Sequence, residues 1–177
     1  MSHLRKSLRL PSYDYSSPGF YFVTICTKNR TPHFGEIINN HMILNRYGMI
    51  ARECWLDLPN HYHNCRLDKF VIMPNHIHGI MQIDNVGNGL EPFPIPCQKS
   101  RTHGLSEFIR AFKTFSSRRI NQHLRMATDH KMHRPLFQWQ KSFYDHIIRN
   151  EKSLHKIRQY IVQNPFGWEK DEYHPGL

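Results

Sequence analysis

The chain has 177 residues, with 24 lysines and arginines against 14 aspartates and glutamates, giving a formal net charge of +10 and a sequence pI near 9.7. That length carries one domain with a real core and is short for two. The basic balance points to a polyanionic partner, nucleic acid first, with a solvated basic surface as the plainer reading. Fourteen histidines, eleven phenylalanines and eight tyrosines suit a surface on which bases stack. Cys26, Cys54, Cys65 and Cys97 form no C-x-x-C pair, which argues against a zinc ribbon or a thioredoxin-type site. Cys26 and Cys54 lie in apolar runs, as buried free thiols do in a reducing cytoplasm. No apolar run approaches membrane-spanning length, and the basic start Met1-Ser2-His3-Leu4-Arg5-Lys6 lacks a signal core. The expectation is a soluble cytoplasmic protein, nucleoid-associated when on DNA, with no membrane partner.

In chain order, residues 1–18 are basic and turn-rich and read as an arm over the surface of a single 1–177 domain. Phe20–Thr27 is β-branched and aromatic, hence a strand. Phe34–Ile38 and Met42–Leu44 flank Asn39-Asn40-His41 as a hairpin. Asn45 is placed to cap a helix over Arg46–Leu58, ended by Pro59. Cys65–Met73 and His76–Ile83 read as two strands joined at Pro74-Asn75, because proline is kept out of central ladders. Residues 84–103, rich in Asn, Gly and Pro, read as a flexible loop within the domain. Ser106–Leu124 reads as a helix with Phe108, Phe112 and Phe115 on one side. A loop follows over 125–135, then a strand over Phe143–Ile148. Glu151–Gln163 reads as a last helix, capped by Asn150, striped by Leu154, Ile157 and Ile161, and stopped by Pro165 and Gly167. Residues 168–177 form a tail. Short connections between strands imply an α+β fold, a central antiparallel β-sheet with helices packed on its face.

The chemistry concentrates in Phe70–Ile83. Side chains alternate faces along a strand, so His76 and His78 project together and are close enough to share one cation. Neutral imidazole is the commonest side-chain metal ligand, and two histidines leave positions open for a third protein group, a substrate oxygen or water, as catalytic sites do. Tyr160 and Asn164 stand four apart on the last helix and so share a face. The plainer reading of Tyr160 is a core aromatic beside Ile157 and Ile161. Asn164 precedes Pro165, which disfavours α geometry there. Tyr144 shares a strand face with His146, and that face is either the metal face or the core. His61-Tyr62-His63 repeats the histidine spacing in a loop without apolar flanks and reads as surface. Asp68 and Asp84 read as polar strand ends. Lys113, Arg118, Arg119, Lys141 and Arg149 are candidate phosphate contacts or solvated charges.

Met73-Pro74-Asn75-His76-Ile77-His78 resembles the histidine–hydrophobic–histidine motif of the HUH endonuclease superfamily. With Trp139–Asn150 and Tyr160-Ile161-Val162-Gln163-Asn164-Pro165, the order and spacing are similar to the REP-associated tyrosine transposases, relatives of the small single-tyrosine insertion-sequence transposases. The resemblance runs from about Gly19 to Gly167. It implies a compact HUH palm with a ferredoxin-like sheet carrying the histidine pair on a central strand. It also implies an enzyme that cuts single-stranded DNA through a tyrosine and leaves a 5′-phosphotyrosine and a free 3′-hydroxyl. The implied cofactor is a divalent ion, Mg²⁺ or Mn²⁺, held by His76, His78 and a polar residue. By the same resemblance Tyr160 is the nucleophile and Asn164 the third ligand, with Tyr144 and Gln163 as the alternatives. The implied substrates are REP-like palindromes folded into hairpins, with a short tetranucleotide recognised at the foot. The acting species is a monomer or a homodimer.

Overall fold

The computed structural model describes residues 13–85, 103–126 and 136–174. Six strands and four α-helices follow in the order β1 (Gly19–Cys26), β2 (Gly35–Ile38), β3 (His41–Leu44), α1 (Arg46–Leu56), α2 (Leu58–His61), β4 (Cys65–Ile72), β5 (His76–Ile83), α3 (Leu105–Met126), β6 (Tyr144–Ile148) and α4 (Glu151–Gln163). The main sheet is antiparallel with strand order β4-β5-β1-β6, so β5 and β1 are central. The second sheet is the β2–β3 ribbon. Its two-residue turn, Asn39-Asn40, has both residues at positive φ, the backbone hand that matches the twist of hairpin strands and that asparagine tolerates.

Alternation divides the main sheet into two buried faces. Tyr21, Val23, Ile25, Ile77 and Met81 project to one side and meet Trp55 of α1 and Phe108 and Phe112 of α3 in the largest core. The approach is close at Gly79, where a Cβ would fall 2.4 Å from Trp55 Cζ2; only glycine leaves the indole its place. Phe20, Phe22 and Ile80 project to the other side, where Leu154, Ile157 and Ile161 of α4 cover them. The helices therefore divide between the two faces, α1 and α3 on one and α4 on the other. This matters for function, because the histidine face of β5 is the α4 face.

The helix caps follow the sequence. Asn45 accepts from the amides of Tyr47 and Gly48 at 2.9 and 3.1 Å, and Asn150 accepts from Ser153 N at 2.8 Å, each satisfying amides that a helix start leaves unpaired.

Some expectations are corrected. The helix from Arg46 ends at Leu56, and Pro59 sits in the first turn of α2 rather than ending α1, where its missing N–H costs nothing. Phe115 is half exposed and stacks on His61 at 6.0 Å, because the inward position of that turn belongs to buried Ser116, which accepts from Trp139 Nε1. Asn164 keeps α-region angles (φ −55, ψ −41) despite Pro165, and the chain runs on through Pro165 and Gly167 as a 3-10 helix to Lys170. Proline at the start of that tighter helix again lacks a donor where none is used. Most of the basic arm and of the 84–103 and 125–135 loops, and Cys97 with them, lie outside the described residues. The described end of the arm packs inward: Tyr13 and Tyr15 lie against the core, with the Tyr13 hydroxyl 3.1 Å from that of Tyr21.

Candidate active site

His76 and His78 stand at the start of β5, opposite Cys26 and Thr24 of β1, and both are essentially fully buried. Their Nε2 atoms face each other at 3.0 Å. Each Nδ1 is engaged from behind: His76 by Asn75 Oδ1 at 2.8 Å, His78 by Thr24 Oγ1 at 2.8 Å. Aromatic rings wall the pair in. Phe22 stacks on His78 at 5.3 Å, and Tyr173 and Trp168 lie 4.7 and 6.0 Å from His76. Burial disfavours the imidazolium. It holds His78 down at about 3 and His76 well below the ordinary histidine value, with the His78 and Arg30 charges adding to the effect. Two neutral imidazoles with converging nitrogens form a ligand pair for a cation.

α4 brings the hydroxyl. Its apolar stripe docks on Phe20, Phe22 and Ile80, and Arg158 forks onto both oxygens of Asp68 at 3.1 Å. Asp68 sits where β4 breaks register between Leu67 and Phe70, so an irregularity in the strand presents its carboxylate to the helix. With α4 fixed in this way, Tyr160 Oη lies 3.2 Å from His78 Nε2. The Tyr160 phenol is pushed up to about 12 by burial, then by the Asp171 and Glu172 carboxylates, against a hydrogen bond from Asn164. Nearby, a cavity of about 330 Å³ is lined by Tyr160, Gln163, Asn164, Lys170, Asp171 and neighbours.

Asn164 and Asp171 both stand beside the histidine pair. Asn164 is buried, its Oδ1 finds no hydrogen-bond partner among the described residues, and its Nδ2 donates to Asp171 Oδ2 at 3.3 Å. Asp171, just past the 3-10 helix, brings a carboxylate oxygen within 4.8 Å of imidazole nitrogens of both His76 and His78. Two imidazole nitrogens, a carboxylate and an unpartnered amide oxygen suit a divalent ion with mixed N and O ligands. Gln163 lines the cavity.

Tyr144 pairs with Thr24 across β1 and β6 and so shares the face of His78. It is two strands away, about 10 Å at ordinary strand spacing. Among the cationic candidates, Lys113 donates to the carbonyls of Gln140 and Ser142 at 2.8 Å each, a crosslink holding the approach to β6. Arg119 pairs with Glu53 of α1. Both lie on α3, across the sheet from the histidines. Arg118, Lys141 and Arg149 are exposed. His61 pairs with Asp57 at 2.9 Å on the surface, and Asp84 pairs with Arg66.

Sequence reasoning missed Thr24, Asn75, Asp171 and Tyr173. Strand alternation in β1 puts Thr24 on the histidine face, whereas Asn75 beside Pro74 carries the sequence signal of a turn residue. Asp171 and Tyr173 lie in a tail that carries no periodic signal.

Comparison with known proteins places the chain beside transposases. The family model described as transposase, IS200 like, matches residues 97–164, a stretch that includes Tyr160 and ends on Asn164 but begins after the histidine pair. A Haemophilus influenzae protein of uncharacterized function is 39% identical over 178 aligned residues, covering 96% of this chain and 93% of its own. A candidate REP-associated tyrosine transposase from the same organism is 26% identical over 153 residues, covering 86% of this chain and 73% of its own. The fold is similar to that of a REP-associated tyrosine transposase solved bound to a REP hairpin, with a TM-score of 0.53 at 18% identity, over 94% of this chain and 73% of that one. Among the described residues no helix is long and apolar enough to cross a membrane.

Proposed function

The chain belongs to the IS200-like transposase family, the family of the REP-associated tyrosine transposases, and from that premise we propose that it cuts and rejoins single-stranded DNA at hairpin-forming palindromes, with Tyr160 as the nucleophile. The observation that carries this reading is the 3.2 Å approach of the Tyr160 hydroxyl to the buried histidine pair within one chain.

Tyr160 Oη attacks the scissile phosphorus in line. The phosphorus–oxygen bond to the 3′ carbon's oxygen breaks, the phosphate stays on the tyrosine, and the proton the phenol gives up is balanced by the one the departing oxygen takes to become a 3′-hydroxyl. The covalent ester conserves the bond energy, so a second 3′-hydroxyl can reverse the step without ATP. A phenol pushed up to about 12 is a poor nucleophile near neutral pH, so the site needs positive charge beside it. A divalent ion, Mg²⁺ or Mn²⁺, held by His76, His78 and Asp171 with Asn164 at hand, would supply that charge and orient the phosphate. Asn164 steadies Tyr160 through its hydrogen bond. Aromatic walls keep the imidazoles neutral and therefore able to bind. Lys170 at the cavity, with Lys141 and Arg149 on the surface, would grip backbone phosphates, which position DNA without reading its sequence. The two-strand separation of Tyr144 from His78 favours substrate contact over attack as its role.

The test is labelled hairpin single-stranded DNA incubated with the protein and Mn²⁺, then run on denaturing gels with and without protease. A protease-sensitive adduct that disappears in Tyr160→Phe supports the proposal. Cleavage without an adduct indicates water activation, and binding without cleavage a non-catalytic relative; either outcome rejects it.

A further inference from the structure

Asn75 is completely buried, and its side chain makes three hydrogen bonds. Nδ2 donates to the carbonyl of Arg30 at 2.8 Å and to the carbonyl of Tyr173 at 2.7 Å. Oδ1 lies 2.8 Å from His76 Nδ1. Carbonyls only accept, so the end of the amide facing two of them must be the NH₂. The other end is then an oxygen, which also only accepts. The proton on His76 Nδ1 follows by elimination. In the neutral ring that is the single proton, and Nε2, which faces His78 Nε2 at 3.0 Å, is left bare. The scaffold that aims the amide is costly: Arg30 adopts φ +54, a left-handed conformation uncommon for any residue that carries a Cβ. Two contacts hold it there, a guanidinium bond to the Glu172 carbonyl at 2.6 Å and a stack over Tyr173 at 4.9 Å.

His78 is held differently. Its Nδ1 faces the Thr24 hydroxyl, which can either donate or accept. Without a cation, the His78 Nε2 proton can point between the bare Nε2 of His76 and Tyr160 Oη, while Thr24 donates to Nδ1. If His78 Nε2 were to hold a cation, the ring proton would have to sit on Nδ1, and Thr24 would accept from it.

We propose that Asn75 is a positioning residue that fixes His76 as the Nδ1-protonated tautomer with its Nε2 lone pair preset for a metal, while Thr24 lets His78 change tautomer when the metal enters. The metal half rests on the reading under Proposed function; the tautomer half does not. Groups behind a ligating histidine commonly set its orientation and basicity, and losing one costs about 10–100-fold in affinity.

The test is long-range ¹H–¹⁵N NMR on the full chain, first without metal and then with Mg²⁺, together with Mn²⁺ affinity by electron paramagnetic resonance. The metal-free wild type should show His76 protonated at Nδ1 and His78 at Nε2, and Mg²⁺ should move only the His78 proton. Asn75→Ala should give a mixture of His76 tautomers and weaken Mn²⁺ binding 10–100-fold. Asn75→Asp, which keeps the acceptor, should retain the His76 tautomer. Thr24→Val should weaken Mn²⁺ binding, and Thr24→Ser should not. A His76 protonated at Nε2 in the wild type overturns the proposal even if no variant folds. So does Mn²⁺ affinity within twofold of wild type in a folded Asn75→Ala. If wild-type His76 is Nδ1-protonated and no Mn²⁺ binds, the Asn75 assignment stands and the metal-dependent reading fails.

Discussion

The phenolic oxygen of Tyr160 lies 3.2 Å from Nε2 of His78, although the two residues are 82 positions apart in sequence. The contact is made because α4 packs on the sheet face of its own chain that carries the histidines. On the proposed reading, the tyrosine and the histidine pair of one chain act together, in cis. Mixing Tyr160→Phe with His76→Ala/His78→Ala should give no more DNA adduct than either protein alone. Recovery of adduct in the mixture would show that the tyrosine acts on a partner's histidines.

The buried histidines make the fold acid-sensitive. Both have folded-state values below the ordinary 6.5, with His78 at about 3. A depressed folded value contributes stability above pH 6.5 and loses it as pH falls toward that value, because the unfolded chain then binds protons that the folded chain refuses. Each histidine adds a slope of about 1.4 kcal/mol per pH unit in that window. Urea midpoints measured from pH 6.5 to 4.5 without metal should fall more steeply for the wild type than for His78→Asn. Equal slopes would mean that His78 is protonated or solvated in the folded protein.

How much of this was readable beforehand differs by element. The histidine pair, its strand and the last helix were legible because period-two and 3.6-residue patterns, caps and a local motif all lie within short windows. The packing of α4 against β4 was not. It depends on Asp68, which reads as a polar strand end until the register break at Leu67/Phe70 turns its carboxylate toward Arg158. Asp171 and Tyr173 were illegible for the same reason: the 3-10 helix that carries them back to the histidines runs through Pro165 and Gly167, two residues that read as a stop. A lysine that ties loop carbonyls together, as Lys113 does, cannot be told from a phosphate contact by sequence.

The Asp68–Arg158 pair should matter more to rate than to affinity. Its side chains are 16% and 34% exposed, so a double-mutant cycle should give a coupling of about 1 kcal/mol in urea unfolding. Asp68→Asn should slow adduct formation severalfold while Mn²⁺ affinity holds, since the pair fixes α4 and not the histidines. An unchanged rate with no coupling would remove it from the positioning of Tyr160.

Asp171 should count as a ligand and as a neighbour of Tyr160. Asp171→Asn keeps the size and removes the charge, so Mn²⁺ affinity should drop at least tenfold. The metal-free Tyr160 phenol should also ionise at lower pH, because a carboxylate that raises it is gone. Alkaline ultraviolet titration, with Tyr160→Phe identifying the signal, reads the second effect. Unchanged metal affinity would return the third-ligand role to Asn164.

The most direct measurement is the identity of the residue that carries the DNA. After reaction with a hairpin single strand and Mn²⁺, nuclease trimming and proteolysis leave a nucleotide on one peptide, which tandem mass spectrometry can locate. A phosphotyrosyl nucleotide on Tyr160 is the expected result; the same adduct on Tyr144, or cleaved DNA with no modified peptide, would contradict the account.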